Sequence, residues 1–276
     1  MNNFAKDSLL PERAASGPAG IVLAKAKGVA WITLDRPNNG NSINLEFAQA
    51  LMRAVQDCEN DSDVRCIVIR GRGRLFCAGG DLLAIRGQGA GASAYVRELL
   101  GYLHEALSGL ARIKVPVIAA VNGTAAGAGF SLACACDLVI AHESVRFVMA
   151  YTRVGLTPDG SSTWFLPRIV GLQRALELTL TNRELPAEEA KTWGIVTEVV
   201  PEKDFDGRVE TLATTLAQGA TSALGAAKRL LRGSFQQTLE SQMVAEAEAL
   251  CSALQGDEAR IGLEAFVAKR NPDFPK

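Results

Sequence analysis

Hydrophobic and polar residues follow each other along the chain in a pattern that predicts short strands separated by amphipathic helices. Val29–Leu34 (VAWITL) is rich in β-branched residues and ends at Asp35-Arg36-Pro37, which is typical of a strand that runs into a turn. Similar apolar runs predict further strands at residues 66–69, 115–121, 138–140 and 195–200. Apolar positions at i, i+3 and i+4 spacing predict helices at residues 45–57 and 93–112. This alternation indicates an α/β fold with parallel strands.

The pattern changes after Pro201, because residues 205–269 show helical periodicity and no strand. We therefore interpret residues 21–200 as the core that carries the active site, and residues 201–276 as a C-terminal helical domain. The apolar stripes of that domain must pack on the core or on a neighbouring subunit. Residues 1–20, which end in a Gly- and Pro-containing stretch, are predicted to be a flexible leader.

Composition and charge exclude several classes of protein. The chain has 48% hydrophobic residues and a net charge of −1, which argues against nucleic acid as a partner because phosphate binding needs clustered Lys and Arg. No secretory leader is evident, and no apolar run reaches the roughly 18 residues that would span a bilayer. Six cysteines without a CxxC pair, and only two histidines, do not fit a zinc site. We expect free thiols, no metal, no membrane partner and a cytoplasmic location.

Two glycine-rich turns hold the candidate chemistry, and each follows a predicted strand. The first is FCAGGDL (residues 76–82), and the second is GTAAGAGFS (residues 123–131), which opens a helix made of small residues. Glycine allows the backbone to approach a ligand closely, and a helix N-terminus offers unpaired N–H groups that could stabilise an oxyanion. The alternatives are a tight turn and close helix packing. A dinucleotide site is disfavoured because the third glycine of G-x-G-x-x-G is missing.

Together these turns resemble the enoyl-CoA hydratase/isomerase (crotonase) family, and the resemblance extends over residues 29–274. It implies a spiral of strand-strand-helix turns with a C-terminal helical domain, assembled as a homotrimer or a dimer of trimers. It also implies that a coenzyme A thioester is the substrate, with no tightly bound cofactor. The amides of Gly80 and Ala128 then stabilise the thioester oxygen. The resemblance implies that coenzyme A is contacted by Ala78, Gly80, Asp81 and Leu82. It also implies that Phe266 and Lys269, near the C-terminus, reach the coenzyme A nucleotide, which is bound either to the same subunit or to a neighbouring one.

The resemblance also suggests which acid is used. The positions of the two glutamates of the family's hydratases hold Ser131 and Tyr151 here, and neither is a carboxylate. Asp159, in GLTPDG, instead resembles the proton-transferring aspartate of the branch that contains 1,2-epoxyphenylacetyl-CoA isomerase and Δ3,Δ2-enoyl-CoA isomerases. We therefore expect an isomerase with one base. The alternative for Asp159 is an N-cap of the following helix.

Other activities stay open at this point. Asp159, His104 and an aromatic residue at position 151 occupy the positions of the nucleophile, base and tryptophan of 4-chlorobenzoyl-CoA dehalogenases, although Gly80-Asp81 replaces the aromatic pair expected there. His104 could equally be a residue at a helix interface. A hydratase and a non-catalytic acyl-CoA binder are further alternatives. We also expect a flexible loop at residues 84–94 that covers the acyl group, and His142 at the surface.

Overall fold

The computed structural model describes residues 19–274 of the chain. Its strands, in chain order, are β1 (Ile21–Ala26), β2 (Val29–Leu34), β3 (Cys66–Gly71), β4 (Leu75–Cys77), β5 (Val117–Val121), β6 (Thr124–Ala126), β7 (Leu138–His142), β8 (Arg146–Val148), β9 (Leu185–Pro186) and β10 (Glu198–Val200). Its α-helices are α1 (Leu45–Glu59), α2 (Leu82–Gly87), α3 (Ala92–Arg112), α4 (Ala128–Ala135), α5 (Ser162–Val170), α6 (Leu172–Thr181), α7 (Ala187–Thr192), α8 (Glu202–Ala217), α9 (Thr221–Gly233), α10 (Leu239–Leu254) and α11 (Asp257–Val267).

The strands form two sheets, and from β3 to β8 successive strands alternate between them. A six-stranded sheet has the order β1-β2-β3-β5-β7-β10 and is parallel except for the β1–β2 hairpin. A four-stranded sheet has the order β4-β6-β8-β9. The chain passes from β3 to β4, from β5 to β6 and from β7 to β8, and a helix follows each pair. This confirms the predicted spiral of strand-strand-helix turns.

Burial on both faces explains why the strands of the large sheet were easy to recognise. All six residues of β2 are buried, so the strand appears in the sequence as a continuous apolar run. Helices α1 and α3 pack together over one face. On the other face, α8 contributes Phe205, Val209 and Ala213 to a second apolar cluster. The central strands therefore have no solvent-facing side that would require polar residues.

Several short elements differ from the sequence prediction. Strand β4 includes the first two residues of the first glycine-rich turn, and β6 lies in the second, where the small residues predict a helix. Both have three residues, too few to show strand alternation in the sequence. Residues 84–94 were predicted to be a flexible loop, which is wrong: α2 begins after Asp81, whose carboxylate accepts a hydrogen bond from the Ala84 amide. The prediction of a surface His142 is also wrong, because this residue ends β7 and is 9% exposed.

The helices after Pro201 differ in how closely they contact the core. Helix α8 is packed on the large sheet. Lys228 holds helix α9 against the core. Its ammonium donates to the Leu110 carbonyl at 2.9 Å and pairs with Asp137 at 2.7 Å. Helix α10 has no buried residue. At the other end, residues 1–18 of the predicted leader lie outside the described residues, and the Gly20 carbonyl accepts a hydrogen bond from the Asp35 amide at 2.7 Å.

Two further observations concern membrane-spanning helices and cysteine pairing. None of the helices in residues 19–274 combines the length and apolar character needed to cross a membrane. All six cysteines are unpaired, and five of them are buried.

Candidate active site

The two glycine-rich turns lie side by side because β4 and β6 are parallel neighbours. Leu75 pairs with Thr124 and Cys77 with Ala125, so the turn that follows each strand leaves the same edge of the small sheet. A Cβ on Gly79, whose φ is +97°, would lie 2.9 Å from the Ala126 carbonyl oxygen and 3.4 Å from the Ala128 nitrogen. Only glycine permits this approach of the two backbones.

This arrangement leaves two backbone amides without a hydrogen-bond acceptor among the described residues. Ile43 forms a parallel bridge with Gly80, in which the Ile43 amide donates to Gly79 and the Asp81 amide donates to Ile43. The Gly80 N–H therefore points to the opposite side. Ala128 is the first residue of α4, where an amide has no partner within the helix. No carbonyl in residues 19–274 accepts a hydrogen bond from either amide. Two free donors at adjoining turns can stabilise an anionic oxygen.

An apolar cavity of about 280 Å³ opens in front of these amides, and both Gly80 and Ala128 line it. Much of its remaining wall is aliphatic and is formed by Ile85, Val96, Leu99, Leu100, Leu103 and Leu156. The stripe of α3 that the sequence pattern assigned to the core therefore also lines the site. Clefts of about 440 and 1080 Å³ lie elsewhere on the surface, but neither includes a residue of the two glycine-rich turns.

Asp159 provides the only carboxylate among the described residues that line this cavity. Its side chain is 31% exposed, and both carboxylate oxygens lie 3.1 Å from His104 Nε2. His104 is on α3 and is 52% exposed. The alternative N-cap role of Asp159 is wrong: α5 begins at Ser162, its cap residue is Ser161, and no side chain caps it.

Ser131 and Tyr151 lie beside Asp159 and contact its backbone. Ser131, which is fully buried in α4, donates from Oγ to the Asp159 carbonyl oxygen at 2.8 Å. The Tyr151 hydroxyl lies 3.1 Å from the same oxygen and 3.2 Å from Ser131 Oγ. Burial raises the pKa of Tyr151 to about 12, so its hydroxyl stays protonated at neutral pH.

Only some of the residues predicted to contact coenzyme A line the cavity. Ala78 and Leu82 line the cavity together with Gly80. Asp81 does not line it, because its carboxylate caps α2 and forms an ion pair with Arg36 at 3.2 Å. Phe266, in the last turn of α11, and Lys269, just beyond that helix, are exposed residues outside the cavity.

Sequence reasoning missed one residue that supports the site. Asn41 is fully buried with φ of +55°, and its amide nitrogen donates to the carbonyls of Arg72, Leu75 and Phe76. These contacts hold β4, and with it the first glycine-rich turn. The segment Asn38-Asn39-Gly40-Asn41 is typical of a loop, and nothing in its sequence distinguishes this asparagine from its neighbours. No cluster of three or more potential metal ligands is present in the described range.

A cavity with two free amides and one carboxylate, built on this spiral, is the arrangement expected of an enzyme that acts on thioesters. Comparison with known proteins agrees: residues 24–276 match the family model described as enoyl-CoA hydratase/isomerase. The chain belongs to this family, which is part of the crotonase superfamily and processes acyl-CoA thioesters.

Individual relatives carry different activities in their names. The chain is 38% identical over 249 residues to the 1,2-epoxyphenylacetyl-CoA isomerase of Escherichia coli (strain K12), covering 90% of this chain and 95% of that one. It is 38% identical over 215 residues to 4-chlorobenzoyl coenzyme A dehalogenase-2 of an Arthrobacter species, covering 78% of each. A crystal structure of an enoyl-CoA hydratase from Polaromonas sp. JS666 superposes with a TM-score of 0.88 at 33% identity, covering 92% of this chain and 99% of that one.

Proposed function

We propose that this enzyme is an isomerase that moves a double bond, or isomerises a ring epoxide, in the acyl group of a coenzyme A thioester. The observation that carries the proposal is that Asp159 is the single carboxylate among the described residues of the cavity wall. An isomerisation needs one base, which takes a proton from one carbon of the substrate and returns it at another. Similarity to a 1,2-epoxyphenylacetyl-CoA isomerase supports this assignment.

In the proposed reaction, Asp159 removes a proton from the acyl chain and leaves an enolate conjugated with the migrating double bond. The amides of Gly80 and Ala128 donate hydrogen bonds to the negative oxygen of the former thioester carbonyl. Asp159 then returns the proton two carbons away, so no atom is gained or lost. Loss of one such donor typically costs about 2.7–4 kcal/mol of transition-state stabilisation.

Hydration fits the cavity less well, because addition of water across a double bond uses a second group to activate that water. The resemblance places the two hydratase glutamates at Ser131 and Tyr151. These hydroxyls contact each other and the Asp159 carbonyl, and neither supplies a base at neutral pH.

A panel of substrates tests the proposed function. We expect turnover of 3-enoyl-CoA or 1,2-epoxyphenylacetyl-CoA, followed by absorbance and by mass spectrometry of the product. An isomer has the mass of its substrate, whereas hydration adds one water. Rapid hydration of crotonyl-CoA, with no isomerisation of any 3-enoyl-CoA, would refute the assignment.

The pair formed by His104 and Asp159 favours one second candidate. In a hydrolytic dehalogenase, Asp159 attacks a ring carbon and displaces halide, and His104 activates the water that cleaves the resulting aspartyl ester. The contacts of 3.1 Å between His104 Nε2 and both carboxylate oxygens suit this sequence of steps. Similarity to a 4-chlorobenzoyl coenzyme A dehalogenase also supports it.

Replacing His104 with glutamine separates the two candidates. In the isomerase, the glutamine amide can still donate to Asp159, so we expect kcat to fall by less than about tenfold. In the hydrolase, glutamine cannot act as a base, and the rate should fall by about 10²–10⁴-fold. Single-turnover reactions in ¹⁸O-labelled water provide the second measurement: only the hydrolase places label in the Asp159 carboxyl, which peptide mass spectrometry detects.

We further propose that Ala78, Gly80 and Leu82 contact the coenzyme A portion of the substrate. All three line the cavity and belong to the first glycine-rich turn, whose last residue, Leu82, begins α2. Asp81 supports this contact through its cap of α2. Phe266 and Lys269 are exposed, which suits our proposal that they reach the coenzyme A nucleotide of a neighbouring subunit.

We also propose that the C-terminal helices mediate assembly into a homotrimer or a dimer of trimers. Large apolar side chains are exposed on this region: Leu239, Met243, Val244, Leu250, Leu254 and Leu263 are each at least half exposed. An apolar patch of this kind indicates a protein interface. We expect light scattering to give three or six times the chain mass of 29.3 kDa. Replacing Leu250 and Leu254 together with glutamate should lower that mass, and a wild-type monomer would contradict the proposal.

A further inference from the structure

Three hydroxyl groups converge on one backbone atom, the carbonyl oxygen of Asp159. Ser131 Oγ lies 2.8 Å away, Ser162 Oγ 3.0 Å and the Tyr151 hydroxyl 3.1 Å. Ser162 belongs to the helix that follows Asp159, but the other two come from distant segments. Ser131 is in the first turn of α4, and Tyr151 follows β8. The hydroxyl pair of Ser131 and Tyr151 therefore ties the Asp159 turn to two other parts of the site.

The turn that carries Asp159 requires such support, because its backbone is in an unfavourable conformation. Gly160 and Ser161 have φ of +65° and +66°, and for serine the left-handed region is uncommon. Backbone conformations of this kind persist only where surrounding contacts determine them. Gly160 also packs closely on Ser131, since a Cβ at Gly160 would lie 3.0 Å from Ser131 Cβ.

Tyr151 is itself presented by a strained residue. Ala150 has φ of +58°, and the Tyr151 amide donates to the Met149 carbonyl at 2.7 Å across a tight turn. This turn directs the Tyr151 hydroxyl toward Ser131 and Asp159 at the cavity wall. Strained residues therefore occur in both backbone segments that the hydroxyl pair joins, the one with Ala150 and the one with Ser161, which indicates that the pair supports the site.

We propose that Ser131 and Tyr151 are positioning residues, which hold the Asp159 carboxylate in its reactive place through the Asp159 backbone. The proposal rests on the proposed function, in which that carboxylate transfers the proton. Among the described residues, the side-chain partner of the carboxylate is His104, which is 52% exposed. A carbonyl fixed by the hydroxyl pair limits movement of the Asp159 Cα, and thereby the distance between the carboxylate and a bound acyl chain. Such distances have large effects on rate.

Removal of either hydroxyl should therefore lower kcat and leave KM unchanged. We expect Y151F and S131A each to reduce kcat by about 10- to 100-fold, because a misplacement of 1 Å has effects of this size. KM should change less than about twofold, since both free amides are backbone groups that neither substitution removes. In S131A the Ser131 Oγ contact with the Gly127 carbonyl at 3.2 Å is lost, but the Ser131 amide still donates to that carbonyl at 3.0 Å. Y95F is the matched control, and its kcat should stay unchanged. The Tyr95 hydroxyl accepts a hydrogen bond from the Leu45 amide at 3.1 Å and is not among the described partners of Asp159.

A double-mutant cycle with D159N shows whether the hydroxyl pair acts through Asp159. In the D159N background we expect Y151F to cause no further loss, because no carboxylate remains to be positioned. A further 10-fold loss in that background would show that Tyr151 acts on the substrate directly and would overturn the proposal. An unchanged kcat in both single variants would overturn it as well. If S131A unfolds at the assay temperature, Y151F, which removes one oxygen atom, provides the result by itself. Failure of the proposed function is distinguishable, because the wild-type enzyme would then isomerise neither 3-enoyl-CoA nor 1,2-epoxyphenylacetyl-CoA.

Discussion

Replacement of Asp159 with asparagine is expected to lower kcat by about a thousandfold, with little change in acyl-CoA affinity. Asparagine has nearly the shape of aspartate and can still accept a hydrogen bond from His104, but its amide cannot take a proton from carbon. General-base catalysis contributes about 10²–10⁴-fold to a rate. Because Asp159 is the one carboxylate among the cavity's described lining residues, no nearby group can replace it.

The measurement is steady-state turnover of the best substrate of the panel, together with calorimetric binding of a non-reactive acyl-CoA. D63N, at an exposed position in the turn before β3, is the matched control and should keep wild-type kcat. Full turnover in D159N would exclude Asp159 as the base. A wild-type enzyme that binds acyl-CoA but converts no member of the panel would instead indicate the non-catalytic binder.

The second large effect is expected at Gly129, where any side chain collides with the first glycine-rich turn. A Cβ at this position would lie 2.3 Å from the Cys77 carbonyl oxygen and 2.6 Å from Cys77 Cβ. In Gly129→Ala, α4 must therefore move away from β4, and the adjacent Ala128 amide moves with it. Displacement of one of the two donors should lower kcat by about 10²–10³-fold. Overpacking of this kind also costs about 1–3 kcal/mol of unfolding free energy.

Gly101→Ala is the control for this substitution. Gly101 lies within α3, and a Cβ there meets no atom within 4 Å. Alanine in an exposed helix interior stabilises by about 0.5–1 kcal/mol relative to glycine, and we expect kcat to stay unchanged. Urea unfolding and kinetics of both variants provide the comparison. Wild-type kcat in Gly129→Ala would show that the position of the Ala128 amide does not control the reaction.

Long elements of this protein were predictable from its sequence because their burial repeats along the chain. The strand at Val29–Leu34 was predicted with its observed bounds, since all its residues are buried and all except Thr33 are apolar. The helix predicted at residues 93–112 differs from α3 by one residue, because its apolar stripe continues over five turns. Strands β4, β6 and β8 have three residues each, and their pairing with distant strands rather than their own composition makes them strands.

The candidate site was likewise predictable only in part from the sequence. Its glycine-rich turns were evident from their residue composition. Glycine is required there because only glycine permits the approach of Gly79 to Ala126 and of Gly129 to Cys77. Asp159 stood out as a carboxylate in a recognisable motif. The chain itself gave no sign that Ser131 and Tyr151, 28 and 8 residues before Asp159, both contact its backbone.

The sequence by itself therefore determined the α/β alternation and the two glycine-rich turns, which depend on residue type and on local periodicity. The spiral, the amides of Gly80 and Ala128 and the acid Asp159 were expected from the resemblance of these motifs to a known family. Only the tertiary structure decided that His104, 55 residues away, contacts the Asp159 carboxylate, that the hydroxyl pair holds its carbonyl, and that an α3 stripe lines the cavity. Such contacts join segments distant in sequence, and packing of the whole chain selects them.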